Sequence, residues 1–308
     1  MKAFVPGPDG GVVLAEVAEP VQRPGEALVK VAAYSVNRGE HLQLAGRLGR
    51  PGGDWRPGKD VAGLVVQAAP DGSGPPIGRR VVGHPPAGGW AEYVTVPTDA
   101  LAELPEEVGW AQAAALPLAG LTALRLLRTV GHPAGLRLLL TGASGGVGHY
   151  LTELAAAAGA SVTAVTRTEE RGAELVAAGA AAVVRDVADA EGPFDVVLES
   201  TGGRALPAAL ARLAPHGRLI WFGQASGEPV TLDFFDFFAG PVGASVSHFS
   251  YAADDRPYGP DLRTLARLTA EGRLRPRIGR LADWHDTATV LTDLGARRIR
   301  GKAVLTVG

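Results

Sequence analysis

Residues Thr141 to Gly148 read TGASGGVG, a glycine-rich turn between a short apolar run, Leu138 to Leu140, and a segment of helical periodicity. A turn of this kind can hold phosphate. Gly145 is expected to turn tightly at positive φ, Gly146 and Gly148 to let a pyrophosphate and a neighbouring strand come close, and Ser144 and Val147 to complete the loop around the anion. A helix starting near Gly146 points its unsatisfied N–H groups at the same place. The first glycine of the usual G-x-G-x-x-G pattern is replaced by Ala143, so the context carries the assignment. A second apolar run, Ser161 to Thr166, follows the helix, giving strand, turn, helix, strand: the opening of a dinucleotide-binding domain. At the end of that second strand an acid would bind a ribose 2′-hydroxyl. Arg167 stands there instead, with Arg171 four residues on, and two guanidinium groups suit a doubly charged 2′-phosphate. The expected cofactor is NADPH. Glu169 and Glu170 lie between the arginines, and surface ion pairs are the alternative use of these charges.

The elements that position these residues are legible in outline. At 308 residues, with 46% hydrophobic and 20% charged residues, the chain suits two soluble domains. A net charge of −2 leaves no overall footprint for nucleic acid or an anionic membrane. The chain has no cysteine, which removes disulfides, thiolate nucleophiles and cysteine-based zinc sites. The N-terminal MKAFVPGPDGG lacks the apolar stretch of a signal peptide and no run of ~18 apolar residues occurs, so a cytoplasmic location is expected.

Residues 1 to 109 read as β-rich, with alternating segments at 28–33, 61–68, 80–82 and 90–96 between Gly/Pro clusters. From Trp110 the pattern becomes helical. Strand candidates then recur at 180–186, 194–201, 217–223 and 242–250 with helices between them, and 262–271 reads as a helix. The C-terminal stretch reads as strand, helix and strand. Its last strand, AVLTV, has no place among the βα units and is expected to return to the first domain. The expected fold class is α/β, with a discontinuous β-rich domain over 1–109 and 273–308 and a doubly wound parallel-sheet domain over 110–272. Ligand is expected in a cleft at the carboxyl ends of the parallel strands.

In order along the chain, AAYSVNRGE (32–40), PGKDVAGLV (57–65), IGRRVVG (77–83), GGWAEYVTVP (88–97), AAALPLAGLTA (113–123), TGASGGVG, FDVVLESTGG and RGKAVLTV make a series. It resembles the medium-chain dehydrogenase/reductase superfamily, and within it the zinc-free NADPH:quinone oxidoreductase family. The resemblance implies a GroES-like catalytic domain beside a Rossmann NADPH-binding domain. It also implies that no metal is bound: Asn37 stands where zinc-dependent members have a metal-binding Cys, and Gly58-Lys59-Asp60 where they have Gly-His-Glu. Asn and Lys are poor zinc ligands.

Without a Lewis acid, conjugate reduction is favoured over alcohol oxidation. Hydride adds to a quinone or to the β-carbon of an enone, and the resulting oxyanion needs only hydrogen-bond donors and a proton. The resemblance implies that Asn37 lies beside the nicotinamide and the acceptor oxygen, and that Thr122 faces the cofactor. It places Ser200, Thr201, Gly223 and Gln224 at the ligand edge of the sheet. His248 is the candidate proton donor, Phe249 and Tyr251 wall the nicotinamide, and Lys302 reaches the cofactor from the returning strand. Two other functions stand beside this one: an enoyl-thioester reductase, and a cofactor-binding sensor with little turnover. A homodimer is expected, because a sheet edge near VGASVSHF follows the apolar run Phe234 to Phe238.

Overall fold

In the computed structural model, residues 1–49, 52–253 and 255–308 are described. The chain opens with β1 (Lys2–Pro6) and β2 (Val12–Glu16), an antiparallel pair, and continues through β3 (Glu26–Val36), α1 (Arg38–Leu44), β4 (Asp60–Gln67), β5 (Arg80–Gly83), β6 (Tyr93–Pro97) and β7 (Leu101–Glu103). Two helices follow, α2 (Trp110–Ala115) and α3 (Pro117–Val130). The parallel strands are β8 (Arg137–Leu140), β9 (Ser161–Val165), β10 (Ala182–Val184), β11 (Phe194–Glu199), β12 (Leu213–Trp221) and β13 (Ser245–His248). Between them run α4 (Gly146–Ala157), α5 (Glu169–Ala177), α6 (Ala205–Leu210) and α7 (Asp236–Ala239). The chain closes with α8 (Gly259–Ala270), β14 (Ile278–Asp283), α9 (Thr287–Gly295) and β15 (Lys302–Thr306). No helix among the described residues is long and apolar enough to cross a membrane.

The chain divides into two compact units, residues 1–121 with 256–308, and residues 122–255. These boundaries differ from the expected 109/110 and 272/273. Helix α2 packs on β3, β4 and β15, and α8 packs on β7, so both helices join the β-rich unit. Periodicity marks them as helices but carries no information about which sheet they cover.

The β-rich unit holds a sheet ordered β14-β15-β3-β4-β5-β7, with β6 pairing the first half of β3, whose second half pairs β15. Strand β3 is its spine. Its sequence EALVKVAAYSV is buried over almost its whole length, which explains its strong apolar content. The final strand does return: β15 runs antiparallel to β3, with Ala303 opposite Val36. Its core is built from Val29, Val31, Tyr34, Val61, Val81, Trp90 and Leu305, and Trp90 stacks on Tyr34 at 5.9 Å. Strands β1, β2 and β7 and helix α1 are not foreseen from pattern, because each is short and only partly apolar.

The second unit is a six-stranded parallel sheet ordered β10-β9-β8-β11-β12-β13. Counted from β8, that is the 3-2-1-4-5-6 order of a dinucleotide-binding sheet. All six strands point the same way, so every strand's carboxyl end lies on one edge. A core of Leu139, Phe194, Val197, Leu206, Leu210 and Leu219 packs the β11–α6 side of this sheet.

Gly63 in β4 sits where strands β3 and β4 cross most closely: a Cβ there would lie 2.0 Å from the Lys30 carbonyl oxygen. Gly63→Ala is therefore expected to lower stability by about 1–3 kcal/mol, read as a fall in melting temperature with the cofactor absent.

Candidate functional site

In the β-rich unit the site is a buried polar cluster at the ends of β3, β4 and β15. Asp60, the first residue of β4, is fully buried, and its carboxylate gathers donors from four segments. Ser35 Oγ donates to its Oδ2 at 2.5 Å, Asn37 Nδ2 at 2.8 Å and Lys302 Nζ at 3.1 Å. The Leu118 backbone N–H donates to Oδ1 at 2.8 Å, and His84 Nδ1 lies 3.6 Å from the same oxygen. Burial alone would raise this carboxyl, yet Lys302, His84 and Ser35 together hold it below the usual carboxylate range.

Asn37 caps α1. Its Oδ1 accepts from the Lys302 ammonium, and its Nδ2 also lies 3.4 Å from Glu40 Oε2. Glu40 closes the capping arrangement. Its Oε2 accepts from the Asn37 N–H and its Oε1 from the Lys59 N–H, both at 2.8 Å. Burial, reinforced by the charge of Asp60, pushes Glu40 up to about 7 against the hydrogen bond from Asn37 and the pull of Lys302. The structure thus brings Asn37 and Lys302 together. There the Lys302 ammonium donates to Asn37 and to Asp60.

In the parallel-sheet unit the expected residues that end or follow β8, β9, β11, β12 and β13 lie at the carboxyl edge. The glycine turn leaves β8 and enters α4, whose first residue is Gly146. One expectation is corrected here: Gly145 is at φ −83°, and the left-handed residue is Gly142 at +62°. Gly142 turns the chain immediately after the strand, so Gly145 is free to adopt the extended conformation of an N-cap. Gly148 is required by packing, since a Cβ would sit 2.3 Å from the Ala143 carbonyl oxygen. Ser144, Gly146 and Val147 surround the open first turn, whose N–H groups have no intrahelical acceptor.

Glu199, at the end of β11, ties the neighbouring loop to that turn. It accepts from Thr141 Oγ1 at 2.9 Å and from the Thr201 and Gly202 N–H groups at 2.8 and 3.0 Å. Burial raises its carboxyl above the usual range against those bonds. Ser200 Oγ donates back to the Thr141 carbonyl at 3.1 Å. Gly223 packs on Ser200, and Gln224 donates to the Glu228 carbonyl at 2.6 Å. Arg167 follows β9 and is exposed, while Arg171 is half-buried in the first turn of α5. His248 ends β13 and is exposed; the Phe249 N–H donates to the Trp221 carbonyl at 2.9 Å, and the Tyr251 carbonyl accepts from Arg125. Thr122 is buried in α3. Asn37 and His248, the two expected catalytic residues, belong to different units.

Sequence reasoning missed Asp60, Glu40 and Glu199 as site residues. The signal available was an acid beside Lys59 inside an otherwise apolar strand, since an acid there is buried only if paired.

A GroES-like β unit and a parallel sheet with a glycine turn are the parts of a dehydrogenase/reductase. Residues 23–106 match the alcohol dehydrogenase GroES-like domain and residues 146–262 the zinc-binding dehydrogenase domain. The chain is 34% identical to the chloroplast envelope quinone oxidoreductase homolog of Arabidopsis thaliana, over 70% of this chain and 71% of that protein. It is also 34% identical to a mycocerosic acid synthase-like polyketide synthase of Mycobacterium tuberculosis, over 92% of this chain but 14% of the synthase. Among solved structures, the mycobacterial protein Rv1454c complexed with NADPH superposes with a TM-score of 0.90 at 26% identity, covering 99% of this chain and 100% of that one. The chain belongs to the zinc-free quinone oxidoreductase family of the medium-chain dehydrogenase/reductase superfamily.

The zinc that the second domain's description implies does not fit these residues. Asp60 is filled by four donors, one of them an ammonium, and Asn37 presents its carbonyl to that ammonium. A divalent cation there would face the charge of Lys302 at contact distance.

The cluster generates a pH prediction. Glu40 has its carboxyl raised in the fold, so its stabilising contribution is complete below about pH 4.5 and is lost as pH rises through 7. Asp60 is depressed, so its contribution is present above the usual carboxylate range and is lost on acidification. Melting temperature is expected to decline between pH 5 and 8. Glu40→Gln should melt lower throughout, because an amide cannot accept both backbone N–H groups, but its decline over that window should be shallower.

Proposed function

We propose that this protein is an NADPH-dependent, zinc-independent reductase of quinones or α,β-unsaturated carbonyls. The observation that carries the reading is one chain holding both a glycine turn followed by Arg167 and a metal locus filled by Asn37, Asp60 and the Lys302 ammonium. The quinone oxidoreductase homolog and the NADPH-bound neighbour support it. Bound NADPH supplies the hydride. The first turn of α4 takes the pyrophosphate on its N–H groups, Arg167 and Arg171 take the 2′-phosphate, and Thr122, Ser200, Thr201, Gly223, Gln224 and Phe249 line the rest of the cofactor. Asn37 donates to the acceptor oxygen as charge develops on it, and His248 delivers the proton. A second reading, reduction of an enoyl thioester, is favoured by the similarity to the synthase over nearly the whole chain.

The reaction is tested by NADPH oxidation with a panel of quinones, free enones and enoyl thioesters. Turnover with quinones or free enones, unchanged by chelator, is expected. Turnover confined to thioesters would select the second reading, and NADP reduction by saturated alcohols would refute both.

Cofactor choice is a separate test. NADPH should bind at least tenfold more tightly than NADH, about 1.4 kcal/mol, and Arg167→Asp should narrow or invert that ratio. Equal affinities in the wild-type protein would refute the assignment.

We further propose a homodimer through β13. It is the edge strand of its sheet, Val246 on it is exposed, and Phe234, Phe235 and Phe238, which precede it in the chain, form an exposed aromatic cluster, each about 70% accessible. Light scattering should return twice the chain mass at micromolar concentration, and Phe235→Glu should shift it towards the monomer.

A further inference from the structure

The amide of Asn37 can in principle present either its oxygen or its NH2 to a substrate, and only one presentation donates a hydrogen bond. An ammonium carries donors alone, so the atom facing Lys302 must be Oδ1. An ionised carboxylate carries acceptors alone, so the atom facing Asp60 at 2.8 Å must be Nδ2. Turning the amide over would point NH2 at a cation and a carbonyl at an anion. Both contacts become repulsive, and water screens them little, because Asn37 is 6%, Lys302 4% and Asp60 0% exposed.

The backbone fixes the same arrangement. The antiparallel register that sets Ala303 opposite Val36 brings Lys302 beside Asn37, and the Lys302 N–H donates to the Arg277 carbonyl at 2.8 Å. Asn37 is held from its other side as the N-cap of α1, its own N–H bonded to Glu40. Of the two Nδ2 hydrogens, one is taken by Asp60. The other faces Glu40 Oε2 at 3.4 Å, beyond the range of a normal N–H···O bond, and is only loosely held.

We propose that Lys302 and Asp60 are positioning residues that lock the Asn37 amide with Nδ2 as its donor end, so that an acceptor oxygen of the substrate competes for the second Nδ2 hydrogen only with the long 3.4 Å contact to Glu40. The inference rests on the reductase reading above and gives Lys302 a different role from cofactor binding. The ammonium on the carbonyl end also draws electron density from the amide and strengthens the remaining N–H as a donor.

A double-mutant cycle tests this in the full-length protein: wild type, Asn37→Ala, Lys302→Met and the double variant. The readouts are kcat at saturating NADPH and acceptor, the NADPH dissociation constant by nicotinamide fluorescence, and the melting temperature of each variant. Removing an oriented donor lowers turnover on the order of a hundredfold. Asn37→Ala is expected to do so, Lys302→Met to lower kcat at least tenfold, and neither to change NADPH affinity more than about threefold. In the Asn37→Ala background, Lys302→Met should lower kcat by less than about threefold, because its effect passes through the missing amide. Lys302→Arg, which keeps a cationic donor, should recover part of the loss. Where Lys302→Met melts below the assay temperature, Lys302→Gln takes its place in the cycle.

Losses that multiply in the double variant would overturn the proposal. So would a tenfold weaker NADPH affinity at unchanged kcat, which would return Lys302 to cofactor binding. A wild-type protein inert towards quinones, enones and thioesters alike would remove the reductase reading and this inference with it, a result distinct from an active enzyme indifferent to Lys302.

Discussion

A carboxylate with no exposure to water is the constraint from which the site in the β-rich unit follows. An isolated buried charge is costly by several kcal/mol, and Asp60 is tolerated because Ser35, Asn37, Leu118 and Lys302 all donate to it. These partners come from the end of β3, the loop after it, the start of α3 and the start of β15. Each must arrive in register, or the carboxylate is left short of donors. The segment that returns from the far end of the chain is thereby pinned at the spot where Asn37 caps its helix. Loss of one partner leaves the others facing an undercompensated charge, so the cluster stands or falls together.

The parallel-sheet unit uses the same physics with fewer charges. Glu199 has no cationic partner among the described residues; backbone N–H groups and the Thr141 hydroxyl satisfy it. The difference shows in the direction of the shifts. The acid beside an ammonium is held below the ordinary range, whereas the acid satisfied by dipoles alone is held above it. In both units a buried acid at a strand end staples a loop that carries proposed ligand contacts. These loops are accordingly set before ligand arrives, which reduces the ordering that binding must accomplish.

The sequence made the parallel sheet legible because its signals are local. A strand of three leucines, a glycine turn and an alanine-rich helix follow one another within some twenty residues, and period and turn chemistry suffice to read them. The return of AVLTV to the first domain was legible by elimination. The Asp60 cluster was not, because its contacts join residues up to 265 apart, and nothing in PGKDVAGLV says which donor will reach the acid. Asn37 and Lys302 could each be singled out through the family resemblance, but their mutual contact could not. The assignment of positive φ to Gly145 failed for a related reason: several glycines in one turn can supply the bend, and only the neighbouring strand decides that Gly142 does.

A locus in which the Lys302 ammonium donates to Asn37 and Asp60 supports a different kind of chemistry from one that holds zinc. A divalent metal binds a carbonyl oxygen directly and polarises it before any hydride moves. An ammonium held by a carboxylate and an amide is nearly neutralised by its partners, so it acts over a short range through the groups it touches. Such a centre contributes little to polarising a saturated carbonyl. It is suited to acceptors that already disperse the incoming charge, as quinones and conjugated enones do. The same burial that makes Asp60 a demanding residue to fold around keeps the direction of the Asn37 amide fixed between Lys302 and Asp60, and direction is what a centre without a metal has to offer.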